Sequence, residues 1–285
     1  MSQKCRYVSI DGTVLKFGYD GKLFLGQGNL LEYLMTPYAP YGKIIGFENE
    51  AVRQRQVPLY ISAVGAEGAE LRNRVHNVFE RDVNYKNNNP ETQESGKLFI
   101  GDYYLKCFIS GSTPSGYLSN NKFLKKLLTV TTDSSVWVKE INYLYSSVDT
   151  LGSAKKYAYK YPYRYNNTVN EDQYLMNPNL LAANFKFILE PQEGSIISNP
   201  YVLIGDNSYR FNITLNEGEK LIVNSQLSSI TLVDSSGREI DALYTRDKSS
   251  DIFKKIPGGE SPISISANTR VYLTLFSERS EPEWI

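Results

Sequence analysis

Few residues in this chain have the types and spacing of a reaction centre. Cys5 and Cys107 are its two cysteines and His76 its single histidine. A cysteine nucleophile needs a base beside it, and the sequence gives no sign of such a pair. Cys107 lies inside the apolar run Tyr103-Tyr104-Leu105-Lys106-Cys107-Phe108-Ile109 and reads as a small buried hydrophobe. The first residues, MSQKCRYVSIDG, lack the apolar run of a secretion signal, so a disulfide is not expected. His76 sits beside an apolar helical stripe and reads as structural. Asp241, Asp247 and Asp251 lie close together in a turn-rich stretch. Two carboxylates flanking a cleft are enough for glycoside hydrolysis, but a cluster like this one reads as a solvated loop. Metal binding has no Cys/His support, and an oxygen-ligated Ca²⁺ in a loop is left open. Gly26-Gln27-Gly28 lacks the third glycine of a dinucleotide loop, with Leu31 in its place, and no βαβ alternation follows. The expectation is that the chain is not an enzyme. No catalytic, cofactor-binding or metal-ligating residue is assigned, and no cofactor is expected.

Composition narrows the remaining classes. The 285 residues leave room for two domains, each able to bury its own core. Apolar residues make up 41%, and no run approaches the roughly 20 needed to span a membrane as a helix, so no membrane insertion is expected. Lys+Arg and Asp+Glu both number 31, so the basic excess of a nucleic-acid binder is absent. No sequence-specific nucleic acid is expected as a partner. A neutral chain also lacks the self-repulsion that keeps copies apart. The 22 tyrosines point the same way, because tyrosine joins a large apolar body to a polar tip and suits interfaces. The chain is expected to assemble, and to be made and kept in a cytosol or exported as part of something larger.

The elements follow from turn chemistry and periodicity. Tyr7, Val8 and Ile10 lead into Asp11-Gly12, a strong hairpin signal, and Val14, Leu15 and Phe17 emerge from it. Leu30, Leu31, Leu34 and Met35 suggest a short helix stopped at Thr36-Pro37. The Tyr- and Pro-rich stretch 37–42 then reads either as a surface loop or as an arm onto a neighbour. Leu71, Val75, Val78 and Phe79 recur with helical period, with Glu67 and Glu70 in the first turn, and predict a helix from about Gly65 to Arg81 or Asp82. Residues 84–96 read as a loop, GKLFIGDYYLKCFISGS as a hairpin, and residues 126–132 and 136–138 as strands. Tyr157, Tyr159, Tyr161, Tyr163 and Tyr165 alternate with smaller or charged residues. Pro162 makes that segment an edge strand or an extended arm. Aromatics interleaved with cations can stack bases, but the cations here are few.

The second half is a series of short strands. Tyr209, Phe211, Ile213 and Leu215 face one way and Arg210, Asn212 and Thr214 the other. Turns follow at 216–219 and 234–237, with strands at 221–223, 230–233, 238–243, 263–265 and 271–275. Trp284 is expected to dock on its own core or on a partner. The division predicted is an N-terminal domain over 1–145, a Tyr/Pro-rich connecting segment over 146–184 and a C-terminal β-sandwich over 185–285.

Four stretches together resemble the distal tail proteins of long-tailed phages that infect Gram-positive bacteria. They are GKLFIGDYYLKCFISGS; LLTVTTDSSVWVKE; YKYPYRYNN with NFKFIL and NPYVLIG after it; and YRFNITLNEGEKLIVNS, ITLVDSSGREI and the terminal RSEPEW. They run in the family's order over nearly the whole chain. Val136 departs from the pattern, since members often place a proline before the tryptophan; this touches one local turn. The resemblance implies a mainly β fold. The N-terminal domain would be a β-barrel or sandwich-like body with one α-helix that forms a ring, and the C-terminal domain a galectin-like β-sandwich. It implies a homo-oligomer of six copies that joins the tail tube protein to the tail-associated hub protein. The ring would enclose a channel for DNA at the virion tail tip, be assembled in the host cytoplasm, and have the tape measure protein and receptor-binding proteins as partners. A separate reading makes the C-terminal sandwich a carbohydrate-binding module for host cell-wall glycan, since exposed Tyr or Trp can stack on sugar rings.

Overall fold

The computed structural model describes residues 5–18, 22–26, 28–32, 35–48, 52–62, 65–118, 122–134, 136–147 and 173–283. The Tyr157 to Tyr165 segment, Leu34 and Trp284 lie outside these. The chain divides into two compact units, one of residues 1–139 with 278–285 and one of residues 140–277. It passes from the first to the second near the start of a long strand and returns near the end of its last one.

In the first unit the strands are β1 (Cys5–Val8), β2 (Val14–Phe17), β3 (Leu23–Leu25), β4 (Thr36–Tyr38), β5 (Gly46–Glu48), β6 (Arg53–Ser62), β7 (Gly96–Ile100), β8 (Tyr103–Leu118), β9 (Phe123–Thr132) and the start of β10 (Trp137–Ser146). The helix α1 (Gly65–Asn88) joins β6 to β7. The predicted Asp11-Gly12 hairpin forms: Gly12 takes a φ of +84°, and β1 pairs antiparallel with β2 from Cys5 opposite Phe17 to Val8 opposite Val14. β7 lies on the other side of β1 and pairs in turn with β8. β8 serves two sheets. Its first residues pair with β7, and from Phe108 onward it pairs with β9, with register shifts between Ile109 and Gly111 and between Pro114 and Gly116. Such irregularities bend a strand. β9 continues to β6 and β6 to β3.

The helix packs on β6 and β8 and places Val75, Val78 and Phe79 in the core. They meet Tyr7, Leu15 and Phe17 from β1 and β2, Val57, Leu59 and Ile61 from β6, and Leu105, Cys107 and Trp137. The helix runs six or seven residues beyond the predicted end. Asparagine has weak helix propensity, but the last turn is held from outside it. Lys86 donates to the carbonyls of Pro90 and Thr92 at 2.8 and 2.6 Å, and the Tyr85 hydroxyl reaches Glu94 at 2.8 Å. Pro90, with no N–H to continue the ladder, follows the helix end at Asn88. The short helix expected at Leu30 to Met35 is not formed by its described residues. Residues 29–31 make a turn, Leu30 goes into the core, and Thr36 begins a strand.

The second unit holds the remainder of β10 and β11 (Gln173–Asn177), β12 (Asn184–Pro191), β13 (Ile197–Ser198), β14 (Tyr201–Ile204), β15 (Asn207–Arg210), β16 (Thr214–Leu215), β17 (Lys220–Asn224), β18 (Ser229–Val233), β19 (Glu239–Asp241), β20 (Gly259–Ile265) and most of β21 (Thr269–Arg279). One antiparallel sheet has the order β19-β18-β17-β12-β21-β10 and the other β11-β20-β14-β15. Phe185, Phe187, Leu189, Leu221, Val223, Leu273 and Leu275 from the first meet Leu175, Val202, Ile204, Tyr209 and Ile263 from the second in one core. This is a β-sandwich, and the chain as a whole is mainly β, as expected.

The alternation at 209–215 holds in burial but not as one strand. Tyr209, Phe211 and Leu215 are buried and Arg210, Asn212 and Thr214 exposed. The backbone changes partners midway, with Asn212 N–H donating to Thr245 O and Asn199 N–H to Ile213 O, so β16 pairs with β13 instead of extending β15. Both predicted turns form, with Gly218 and Gly237 at φ +84° and +85°. The strand expected over 238–243 ends at Asp241 and gives way to a 3₁₀ turn over Leu243–Thr245.

Candidate interaction surface

The cysteines, the histidine, the glycine pair and the loop aspartates lie in separate local settings. Cys107 is buried, and burial pushes its thiol up to about 12, away from nucleophilic use at neutral pH. Cys5 and Cys107 are both free thiols. His76 is exposed on α1 with Glu80 3.4 Å away one turn on. Gly26 and Gly28 lie against β6, and a Cβ on Gly28 would stand 2.3 Å from the Gln56 carbonyl oxygen, so these glycines allow chain-to-chain contact. Asp241, Asp247 and Asp251 each accept the backbone N–H two residues on, from Leu243, Ser249 and Phe253. These are local turn contacts. The Ser249 N–H, followed by its hydroxyl, holds the Asp247 carboxyl below the usual carboxylate range. Among the described residues no group of three or more His, Cys, Asp or Glu is placed to hold a metal. The pocket between α1 and the sheets, lined by Tyr7, Phe17, Val57, Phe79 and Leu98 among others, is apolar and part of the core.

Two buried charged residues were not singled out from the sequence. Asp82, 1% exposed, accepts the Tyr7 hydroxyl at 2.6 Å, the Ser9 hydroxyl and the Ile10 N–H at 3.3 Å, which ties the β1 end to α1. Desolvation first, with Cys107 and Asp82 adding to it, raises the Tyr7 phenol far above its ordinary value. Arg55 on β6, also 1% exposed, donates from Nη1 to the Leu30 carbonyl at 2.5 Å. Both had a signal in the sequence. Asp82 continues the stripe of Val75, Val78 and Phe79 at the next turn, and Arg55 precedes Val57, Leu59 and Ile61 on the alternating face of β6. A charge on an apolar face is either an error of register or a buried polar contact.

Part of the described surface is apolar. β4 and β5 pair as a separate two-stranded hairpin, Thr36 opposite Glu48 and Tyr38 opposite Gly46. The Ile45 N–H reaches the Tyr38 carbonyl at 2.9 Å, and Gly42 turns at φ +73°. Along it Tyr38 is 49% exposed, Tyr41 88%, Ile44 57%, Ile45 62% and Phe47 62%. Five large apolar side chains in thirteen consecutive residues are more than scattered surface exceptions. An isolated two-stranded hairpin is also marginal in water by itself. The stretch 37–42, read from the sequence as a surface loop or an arm, forms the end of β4 and the turn of this hairpin. In the second unit Leu180 and Leu181 stand out on a loop whose base is pinned by Asn177 donating to the carbonyls of Ile256 and Pro257, both at 3.0 Å.

No family model matches the chain, and no curated protein matches it. Solved structures do. The SPP1 Dit protein, described as a paradigm of the hub adsorption apparatus in phages infecting Gram-positive bacteria, superposes with a TM-score of 0.53 at 11% identity, over 96% of this chain and 99% of that one. A chain of the phage P2 baseplate in its activated conformation with Ca gives 0.61 at 13% identity, over 99% of this chain and 100% of that one. The corresponding baseplate with Sr gives 0.62 at 12% identity with the same coverage. The likeness spans both units, and over nearly its full length the chain therefore has the fold of the SPP1 Dit protein and of a phage P2 baseplate chain.

Proposed function

We propose that this chain is a non-enzymatic structural component of a phage tail tip, and that copies of it join through the β4–β5 hairpin. The observation that carries the proposal is the row of exposed side chains Tyr38, Tyr41, Ile44, Ile45 and Phe47. The likeness to phage hub and baseplate structures supports the setting. The hairpin of one copy lies against the body of the next, which makes a heterologous contact, and repeating it with a closing rotation yields a ring. Each contact should bury at least about 1,000 Å² to hold in a virion.

In this reading the ring has six copies, encloses the channel for DNA and joins the tail tube protein to the tail-associated hub protein. The first unit builds the ring, and the β-sandwich of the second unit projects as a platform for adhesion proteins. Negative-stain imaging of the purified protein tests this, alone and with its tail partners. Rings with an open lumen are expected; monomers under every condition would refute it.

A further inference from the structure

We propose that Arg55 is a positioning residue that latches the root of the β4–β5 hairpin to the body of the first unit, so that the hairpin is presented to a neighbouring copy already anchored. The proposal rests on the reading of the hairpin as the contact between copies. Its own evidence is different and lies at residues 26–32 and 53–58. There the chain leading to the hairpin runs along β6. Gly26 N–H donates to Pro58 O at 2.8 Å and Asn29 N–H to Gln56 O at 3.1 Å, while the Asn29 side-chain oxygen accepts the Gln56 N–H at 2.5 Å. Leu30 is sunk in the core beside these contacts. Arg55 then reaches the Leu30 carbonyl, and Arg53, two residues earlier on the same face of β6, reaches the Glu32 carbonyl at 3.4 Å.

The placement of Arg55 is what needs explaining. It occupies a core-facing position of β6, in line with Val57, Leu59 and Ile61, where a hydrophobe would pack without cost. Among the described residues it forms no ion pair, and its Nε has no hydrogen-bond partner. Burying a cation without a counter-charge is unfavourable, and an apolar residue of similar volume is often at least as stable. A guanidinium kept there serves its remaining contact, the carbonyl of the hairpin root. Gly28 also permits this close approach to β6, since any side chain there would collide with the Gln56 backbone.

The test uses the full chain and three variants. Arg55→Met removes the latch and keeps the volume; Gly28→Ala pushes the root off β6 from an exposed position; Ile45→Asp with Phe47→Asp removes the apolar contact alone. Two readouts are taken: the self-association constant by sedimentation, and the rate of tryptic cleavage after Lys43 at the hairpin tip in dilute protein. For Arg55→Met and Gly28→Ala, cleavage is expected to rise about fivefold or more through local opening. Association should weaken about tenfold while the melting temperature of the body stays near the parent's. Should Arg55→Met fail to fold, Gly28→Ala alone decides. Parent-like cleavage and association in a folded latch variant would overturn the latch. Parent-like association in the double aspartate variant would instead overturn the hairpin reading, whatever the latch variants do.

Discussion

The two units solve the same packing problem with different materials. In the second, three rings form the centre: Phe185 lies 4.3 Å from Phe187 and 5.0 Å from Tyr209, and Phe187 5.2 Å from Tyr209. Among these three rings the one polar tip is satisfied close by, with the Tyr209 hydroxyl donating to the Lys254 carbonyl at 2.8 Å, and the neighbouring Asn207 donates to the Lys255 carbonyl at 3.0 Å. In the first unit the core carries a carboxylate, a guanidinium and a thiol. Asp82 binds two hydroxyls more than seventy residues away in sequence, and Arg55 holds a carbonyl twenty-five residues away. The apolar core confers stability that does not depend on one arrangement. The polar contacts add little net stability, because buried hydrogen bonds replace bonds to water, but they fix where particular pieces lie. The unit with the exposed hairpin is also the one whose core holds buried charged side chains.

That contrast can be broken by substitution. Phe187→Ala should be the most damaging single change, costing about 3–5 kcal/mol by loss of burial and a residual cavity. A chemical-denaturation series would measure it, and a cost below about 1 kcal/mol would contradict the account of the second core. Asp82→Asn should cost less, about 1–3 kcal/mol, because the amide offers a single acceptor oxygen to the Tyr7 and Ser9 hydroxyls and an N–H₂ that repels one of them. Hydrogen exchange in β1 and β2 should rise with it. An unchanged exchange pattern would mean that Asp82 does not tie these strands to α1.

The smallest effect at neutral pH concerns Cys107, whose thiol is moved by burial from 9.0 to about 12. A group that holds its proton more tightly when folded contributes stability that is complete below pH 9 and is lost as pH rises toward 12. Cys107→Ala removes that dependence. The parent should therefore lose stability relative to the variant between these pH values, as melting in paired buffers would show. Parallel curves would place the thiol in a more solvated site than its burial indicates.

Much of this was legible in the sequence, and the failures have physical causes. The Asp11-Gly12 and Asn216 to Glu219 turns and the stripe on α1 rest on local chemistry and hold, while the alternation at 209–215 holds in burial but is divided between β15 and β16. The end of α1 did not, because Lys86 and Tyr85 hold the last turn through residues beyond the helix. Residues 29–31 turn instead of coiling because Leu30 is drawn into a core assembled from distant strands, a tertiary effect that overrides helical spacing. Within the hairpin of 36–48, only residues 37–42 were visible, as a Tyr- and Pro-rich stretch. Whether it lay on the body or stood free depended on exposure, which composition does not carry. Asp82 and Arg55 stood in plain view as charges on apolar faces, and their partners lay too far along the chain for spacing to indicate.

The account depends most on the hairpin being sticky toward another copy rather than merely exposed. Sedimentation of the intact protein beside the Ile45→Asp, Phe47→Asp variant, at matched concentrations and with melting curves recorded for both, addresses this directly. The account predicts a concentration-dependent oligomer for the intact protein and, for the variant, a monomer that still melts cooperatively. Identical sedimentation of the two folded proteins would contradict it.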